Sequence, residues 1–253
     1  MSDSAIRRHA MTVDVEDYFH VSAFEKQISP KDWSRWKPTV DYNTRRLLDL
    51  FAKTNTKATF FILGWVAEAF PELIKDIHAA GHEIASHGTN HRRATTMTQS
   101  ALRDDIKESL DRLESLTGEK VIGYRAPSFS INKSNEWAFQ LLADFGLKYS
   151  SSTYPIKHDL YGTPDWPRFA YQRKEGILEI PIPTLRDKNQ NKGIGGGGYF
   201  RLFPYWLSKR RIDRFLREEN APYSFYFHPW EIDPTQPRVS DAKLLSKFRH
   251  YVN

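Results

Sequence analysis

The chain has 253 residues, enough to bury one sizeable core and near the upper limit for a single domain. A hydrophobic fraction of 40% and an aromatic fraction of 14% exclude a disordered chain, and the absence of cysteine excludes disulfides and thiolate metal sites, so any metal must use His, Asp or Glu. The net charge of +6 would attract an acidic polymer, yet Lys and Arg are scattered; the one tight run, Lys209-Arg210-Arg211, reads as a solvated helix face, and no nucleic-acid-binding module accompanies it.

In chain order, Met1 to Ala10 carries two Arg but no apolar stretch of signal-peptide length. No later segment is long enough to span a bilayer, which predicts a soluble, cytoplasmic protein without stable membrane insertion. Ala10 to Val15 reads as a first strand. A helix follows over Asn43 to Lys53, with Leu47, Leu48 and Phe51 on one face. Ala58 to Leu63 is a second strand, dense in β-branched and aromatic residues. Pro71 opens a helix carrying Leu73, Ile74 and Ile77, and Gly81 caps its end. After a third strand at Glu83 to Ser86, Thr98 starts a long helix with Leu102, Ile106, Leu110 and Leu113 in register, closed by Gly118. Val121 to Tyr124 is a fourth strand, and Ser134 begins a helix through Trp137, Leu141, Leu142 and Phe145 that Gly146 terminates. Leu147 to Ser150, Ile177 to Ile182 and Ser224 to Phe227 complete seven strands. Tyr154 to Arg173 is Pro- and aromatic-rich and reads as irregular; Gly195 to Gly198 is a loop. Alternating strands and helices predict an α/β architecture, and no linker, repeat or composition break divides it, so residues 1–253 are expected to form one domain.

Polar, chemically capable residues gather just after the strands. Asp14, Glu16 and Asp17 mark the first, His87 and His91 the third, Arg125 the fourth and His228 the last. In barrels of parallel strands the C-terminal strand ends form the active-site face. Two His separated by three residues can bind one metal, although two unrelated surface His would look the same. An acidic residue from another strand end would complete a two-His, one-carboxylate site with positions left for water. The carboxylates of Asp14-Val15-Glu16-Asp17 repel one another unless a cation or base is shared among them; in isolation the segment also fits a solvated turn. Arg125 could orient one carboxylate or simply form a structural ion pair. His228 follows a very apolar strand, where a His can be a buried core group or an acid. Seven Trp and twelve Tyr exceed the needs of a core and suit a ligand with flat faces, such as a sugar ring.

Thr12-Val13-Asp14, His87 to His91, Arg125-Ala126-Pro127 and His228 together resemble the polysaccharide deacetylases (carbohydrate esterase family 4, the NodB-homology domain), in that family's order. Three segments, residues 12–19, 195–200 and 227–231, look like deacetylases encoded beside bacterial exopolysaccharide and exosortase genes. The resemblance implies a distorted (β/α)7 barrel, an N-acetylated oligo- or polysaccharide substrate and a divalent ion, with Zn2+ the natural choice and Co2+, Ni2+ or Mn2+ also fitting. It assigns His87, His91 and either Glu16 or Asp17 to the metal, Asp14 to the base, Arg125 to its orientation and His228 to protonation of the departing amine. A backbone N–H near Pro127 to Phe129 would meet the oxyanion, and Pro127, Tyr199, Phe200 and Trp230 would contact the sugar.

The chain departs from the family pattern at three places. Val15 stands where the family's metal Asp is expected, and Ser150 where relatives carry an Asp that tunes the late His. The family pattern also implies a further helix beyond Asn253, as if the C-terminus were truncated. Two other readings keep the fold: hydrolysis of cyclic amides or imides, and a catalytically inactive carbohydrate-binding protein.

Overall fold

A computed structural model describes residues 8–25, 27–158, 161–240, 242 and 244–252. Residues 1–7 of the N-terminal stretch, 159–160 of the Pro- and aromatic-rich stretch and residue 253 lie outside the described residues. The strands are β1 (Ala10–Val15), β2 (Thr59–Ile62), β3 (Glu83–Ser86), β4 (Gly123–Tyr124), β5 (Tyr149–Ser150), β6 (Tyr171–Gln172), β7 (Leu178–Glu179), β8 (Thr184–Asp187), β9 (Gln190–Gly193) and β10 (Ser224–Phe227). The helices are α1 (Val40–Lys53), α2 (Gly64–Ala69), α3 (Pro71–Ala79), α4 (Gln99–Thr117), α5 (Trp137–Asp144), α6 (Gly197–Leu202), α7 (Tyr205–Glu218) and α8 (Leu244–Tyr251). None among the described residues is long and apolar enough to cross a membrane.

Eight strands form one curled sheet in the order β10-β1-β2-β3-β4-β5-β7-β6. Seven of them are parallel, and β6 runs antiparallel to β7. These seven correspond to the seven strands read from the sequence, and the sheet with its helices is a distorted (β/α) barrel. Period-2 alternation along β1 sends Val13 and Val15 into the main core, which also holds Leu47 and Phe51 of α1, Ile74 of α3 and Ile106 of α4. Thr12 and Asp14 therefore face the other side, where they meet Arg125. The long helix behaves as read: the Thr98 side chain accepts the Ala101 N–H at its start, and Gly118 ends it at φ 72°.

Several elements differ from the sequence reading, among them the glycine run read as a loop, whose Gly197 and Gly198 open α6. The helix read from Ser134 begins at Trp137, because Asn132 and Asn135 bond the backbone of the preceding turn and compete with helical pairing. The β8–β9 hairpin, around a turn with Lys188 at φ 53°, has strands too polar to show as such. Helix α2 is too short for a periodic signal, yet it matters to the site. Its first N–H groups, those of Gly64 and Trp65, donate to the Gly88 and Thr89 carbonyls at 2.8 and 3.1 Å.

Helix α1 starts three residues earlier than its apolar pattern suggests because its N-terminus is capped from a distance. Asp17 Oδ2 accepts the Thr39 and Val40 N–H groups at 2.6 and 2.9 Å, and Oδ1 accepts the Thr39 hydroxyl at 2.8 Å and the Tyr18 N–H at 3.0 Å. A fully buried carboxylate at a helix N-terminus satisfies orphan donors and interacts favourably with the helix dipole. Asp17→Ala is predicted to lower the urea-unfolding free energy by about 2 kcal/mol or more while leaving the metal content of the folded protein unchanged.

Candidate metal and catalytic site

The carboxyl ends of β1, β3, β4 and β10 deliver the polar groups to one place. Asp14 and Glu16 come from the end of β1, His87 and His91 from the loop after β3, Arg125 from the residue after β4 and His228 from the residue after β10. A cleft of about 500 Å³ opens over them, lined by Asp14, Glu16, His87, His91, His228 and Trp230.

Glu16, His87 and His91 each offer one ligand atom within 4.8 Å of the others. Their loop is rigid for identifiable reasons. Asp105 of α4 accepts the Thr89 N–H at 2.9 Å and the Asn90 N–H at 3.3 Å, and the Thr89 hydroxyl donates to the Asp105 carbonyl at 2.7 Å. Gly88 is left-handed at φ 73° and has no room for a side chain beside the Asp105 carboxylate. His91 itself holds φ 50°, a conformation costly for a non-glycine residue. His87 Nδ1 lies 2.8 Å from the Arg125 carbonyl, which makes Nδ1 the donor and leaves Nε2 with its lone pair. Burial lowers the His87 pKa to about 4, so the ring is neutral near pH 7, as a metal ligand must be. Glu16 Oε2 approaches His91 Nε2 to 2.6 Å without the alignment of a hydrogen bond and has no hydrogen-bond partner among the described residues. Burial would raise the Glu16 carboxyl, but His91 and His228 hold it well below the usual range. A buried carboxylate oxygen and two imidazoles facing one space fit a divalent cation.

Of the two carboxylates the sequence left open, Glu16 stands with the histidines, and Asp17 is occupied by α1. Asp14 Oδ1 pairs with Arg125 Nη1 at 2.5 Å, both side chains being fully buried. Arg125 also donates to Thr12 Oγ1 at 3.0 Å and to the Ser151 carbonyl and hydroxyl at 3.3 and 3.2 Å, and it stacks 4.0 Å above the Phe61 ring. His228 Nε2 lies 3.4 Å from Glu16 and 4.0 Å from Asp14. Burial works against its proton, but the carboxylates of Glu16, Glu231 and Asp14 outweigh burial and push its pKa up to about 9. The strand-end polarity read from the sequence thus converges on one cleft.

The residues expected to contact sugar are more dispersed. Trp230 lines the cleft but is only 4% exposed, stacked with His228 and His250 and lying under the Arg201 guanidinium, so it has little ring face to offer. Tyr199 lines a different cleft, Phe200 packs on Phe225 and Tyr205, and Pro127 is buried. The aromatic lining near the histidines comes instead from Phe129, Tyr161 and Tyr226. In the turn at 127–129, Pro127 has no N–H and the Phe129 N–H bonds the Ala126 carbonyl, which leaves that of Ser128 for an oxyanion. The glycine run serves packing: a side chain at Gly196 would collide with the Tyr226 ring, and one at Gly197 with the Glu231 carboxylate.

Two acids escaped the sequence reading. Glu231 is buried in a lone acidic position of an aromatic segment; its Oε2 accepts the His228 N–H at 3.1 Å and sits 3.5 Å from Nδ1, while Arg201 holds Oε1 at 3.1 Å. It supplies a carboxylate beside the late His although position 150 is Ser. Glu179, at the end of β7, accepts the Ser152 and Thr153 N–H groups at 3.0 and 2.9 Å and so fixes the segment whose Ser151 holds Arg125. Its apolar strand neighbours concealed it, although a charged residue inside a buried parallel strand is itself a signal.

Burial raises Glu179 from 4.5 to about 7, against the pull of its bonds to Ser152 and Thr153. The folded protein therefore holds this proton more tightly than the unfolded chain does. The group's contribution to stability is greatest below about pH 4.5 and declines as the pH rises through about 7. Glu179→Gln keeps an acceptor oxygen for the loop and is predicted to flatten that decline. The urea midpoint of the parent protein, relative to the variant, should fall between about pH 5 and about pH 8; a difference independent of pH would contradict the assignment.

Residues 36–150 match the family model described as polysaccharide deacetylase, and residues 151–253 one described as a domain of unknown function (DUF3473). A peptidoglycan deacetylase of Helicobacter pylori is 38% identical over 125 residues, covering 49% of this chain and 41% of the relative. A peptidoglycan-N-acetylglucosamine deacetylase of Bacillus cereus is 33% identical over 89 residues, covering 35% of this chain and again 41% of the relative. The chain thus spans less than half the length of these relatives. The crystal structure of a Mycobacterium smegmatis protein assigned as a polysaccharide deacetylase superposes with a TM-score of 0.64 at 22% identity, over 91% of this chain and 80% of that one, a likeness of fold. The likeness to polysaccharide deacetylases in sequence thus rests on residues 36–150, just under half of the chain.

Proposed function

We propose that this protein is a metal-dependent hydrolase that removes acetyl groups from N-acetylated amino sugars in an oligo- or polysaccharide. The observation that carries this reading is the meeting, in one cleft, of the Glu16, His87 and His91 donor set with the Arg125-paired Asp14 and with His228. The names of the curated relatives support the N-acetyl sugar as substrate class. The motifs at residues 195–200 and 227–231 support a bacterial exopolysaccharide as the polymer. The site draws on both matched regions in this reading, since His87, His91 and Arg125 come from residues 36–150 and His228 from residues 151–253.

Glu16, His87 and His91 would hold the ion; zinc suits these donors best, and cobalt, nickel or manganese would also fit. When bound, a divalent ion supplies Lewis acidity for the acetyl carbonyl and lowers the pKa of water. Asp14 accepts a proton from the attacking water, and Arg125 keeps that carboxylate aimed through a charge-assisted bond. The Ser128 N–H is the backbone donor for the developing oxyanion. His228, held by Glu231, carries the proton that the departing amine needs.

Acetate release from N-acetylglucosamine oligomers by the zinc-loaded protein tests this reading. Asp14→Asn and His228→Ala are each predicted to lower kcat by about 10²- to 10⁴-fold, with the metal retained. His87→Ala should lose bound metal, and chelation should abolish acetate release. Ring opening of cyclic imides without any acetate release would overturn the sugar assignment.

A further inference from the structure

A second cleft, of about 910 Å³, lies between the β8–β9 hairpin, the start of α6 and α7. It shares a wall with the first. Ile156 and Tyr199 line the larger cleft, Phe129, Tyr161 and Tyr226 line the smaller one, and these residues belong to a single packed cluster. Lys157, Arg168, Arg186, Lys192 and Arg211 line it against one carboxylate, Asp165. Arg168 is neutralised by Glu219 at 2.5 Å. The other four cations make no ion pair among the described residues. Arg186 and Lys192 are held by the neutral amides of Asn191 and Gln190 at 2.8 and 3.1 Å, and Arg211 lies 4.2 Å over the Phe203 ring.

This charge is not a scattered surplus. Residues 1–150 carry equal numbers of basic and acidic side chains, so the whole net charge of +6 belongs to residues 151–253. The Lys209-Arg210-Arg211 run, read from sequence as a solvated face, delivers Arg211 to the cleft. Uncompensated cations held in a concavity concentrate the local potential and attract an anionic ligand. Trp166 and Tyr199 line the same cleft, and aromatic side chains there suit a chain of pyranose rings.

We propose that the larger cleft binds the carboxylates of an acidic saccharide chain, so that the polymer reaching the smaller cleft is an N-acetylated polysaccharide that also carries uronate groups. The inference rests on the deacetylase reading for its substrate class, and its test is kept separate from turnover.

Isothermal titration on the full, metal-free chain compares two probes: a hyaluronan hexasaccharide, which alternates uronate with N-acetylglucosamine, and the neutral chitohexaose. Hyaluronan should bind at least about ten-fold more tightly, with a preference that fades as salt is raised. The triple variant Arg186→Gln/Lys192→Gln/Arg211→Gln should lose that preference and bind chitohexaose as before, with an unchanged melting temperature. Equal affinities, no measurable hyaluronan binding, or a preference intact in the folded variant would overturn the proposal. Tighter binding of a single-stranded DNA of equal charge would overturn it in favour of a nucleic acid. Should the variant fail to fold, photo-crosslinking of diazirine-bearing hyaluronan to the parent protein decides: adducts at residues 184–193 and 211 support the site, and adducts elsewhere refute it. Failure of the deacetylase reading would show separately, as absence of acetate release from metal-loaded protein.

Discussion

Burying an aspartate and an arginine costs several kcal/mol per ion unless the two meet and their remaining hydrogen-bonding capacity is filled. The Asp14–Arg125 pair meets, with Thr12 and Ser151 holding the rest of the guanidinium, and much of the site hangs from it. Arg125 reaches Thr12 on β1 and Ser151 after β5, lies on the Phe61 ring from β2, and offers its own carbonyl to His87 after β3. One residue, just after β4, thus links the carboxyl ends of β1, β2, β3 and β5. The same residue aims a carboxylate and sets the tautomer of a candidate metal ligand. Support of this kind, in which each functional group is held by a second bonded neighbour, lets a site keep its geometry without substrate.

Three carboxylates within four residues would repel if they shared one space. The backbone separates their fates. Asp14 turns inward with the alternation of β1 and meets a guanidinium. Glu16, just beyond the strand, has the longer side chain and stands with two imidazoles. Asp17 turns to the N-terminus of α1 and gives its charge to a helix. Val15, which interrupts the acidic run, belongs to the core. Val15 at this position fills the core, and the candidate ligand is the next residue, Glu16.

Much of this was legible in the chain itself. Strand-end placement of Asp14, His87, Arg125 and His228 is a pattern that parallel sheets produce for geometric reasons, and the strands and long helices that carry it had strong periodic or capping signals. What stayed hidden depends on long-range partners. The choice between Glu16 and Asp17 turned on a helix that begins more than twenty residues later. Glu231 and Glu179 looked incidental because nothing local shows that one faces His228 and the other the Ser152 backbone. Trp230 looked free to stack because its packing with His250, from α8, is also non-local. The polar β8–β9 hairpin had a single β-branched residue, Thr184, to announce it, and the basic cleft it helps to form was read as scattered charge.

The central claim is that Glu16, His87 and His91 hold one divalent ion beside the Asp14–Arg125 pair. Anomalous diffraction from crystals grown with cobalt, collected on both sides of the metal absorption edge, addresses it directly. The account predicts one strong anomalous peak bounded by the Glu16 carboxylate and the two imidazoles, with Asp17 still bonded to Thr39 and Val40. A peak beside Asp17, or a cobalt ion bound elsewhere with this site empty, would contradict it.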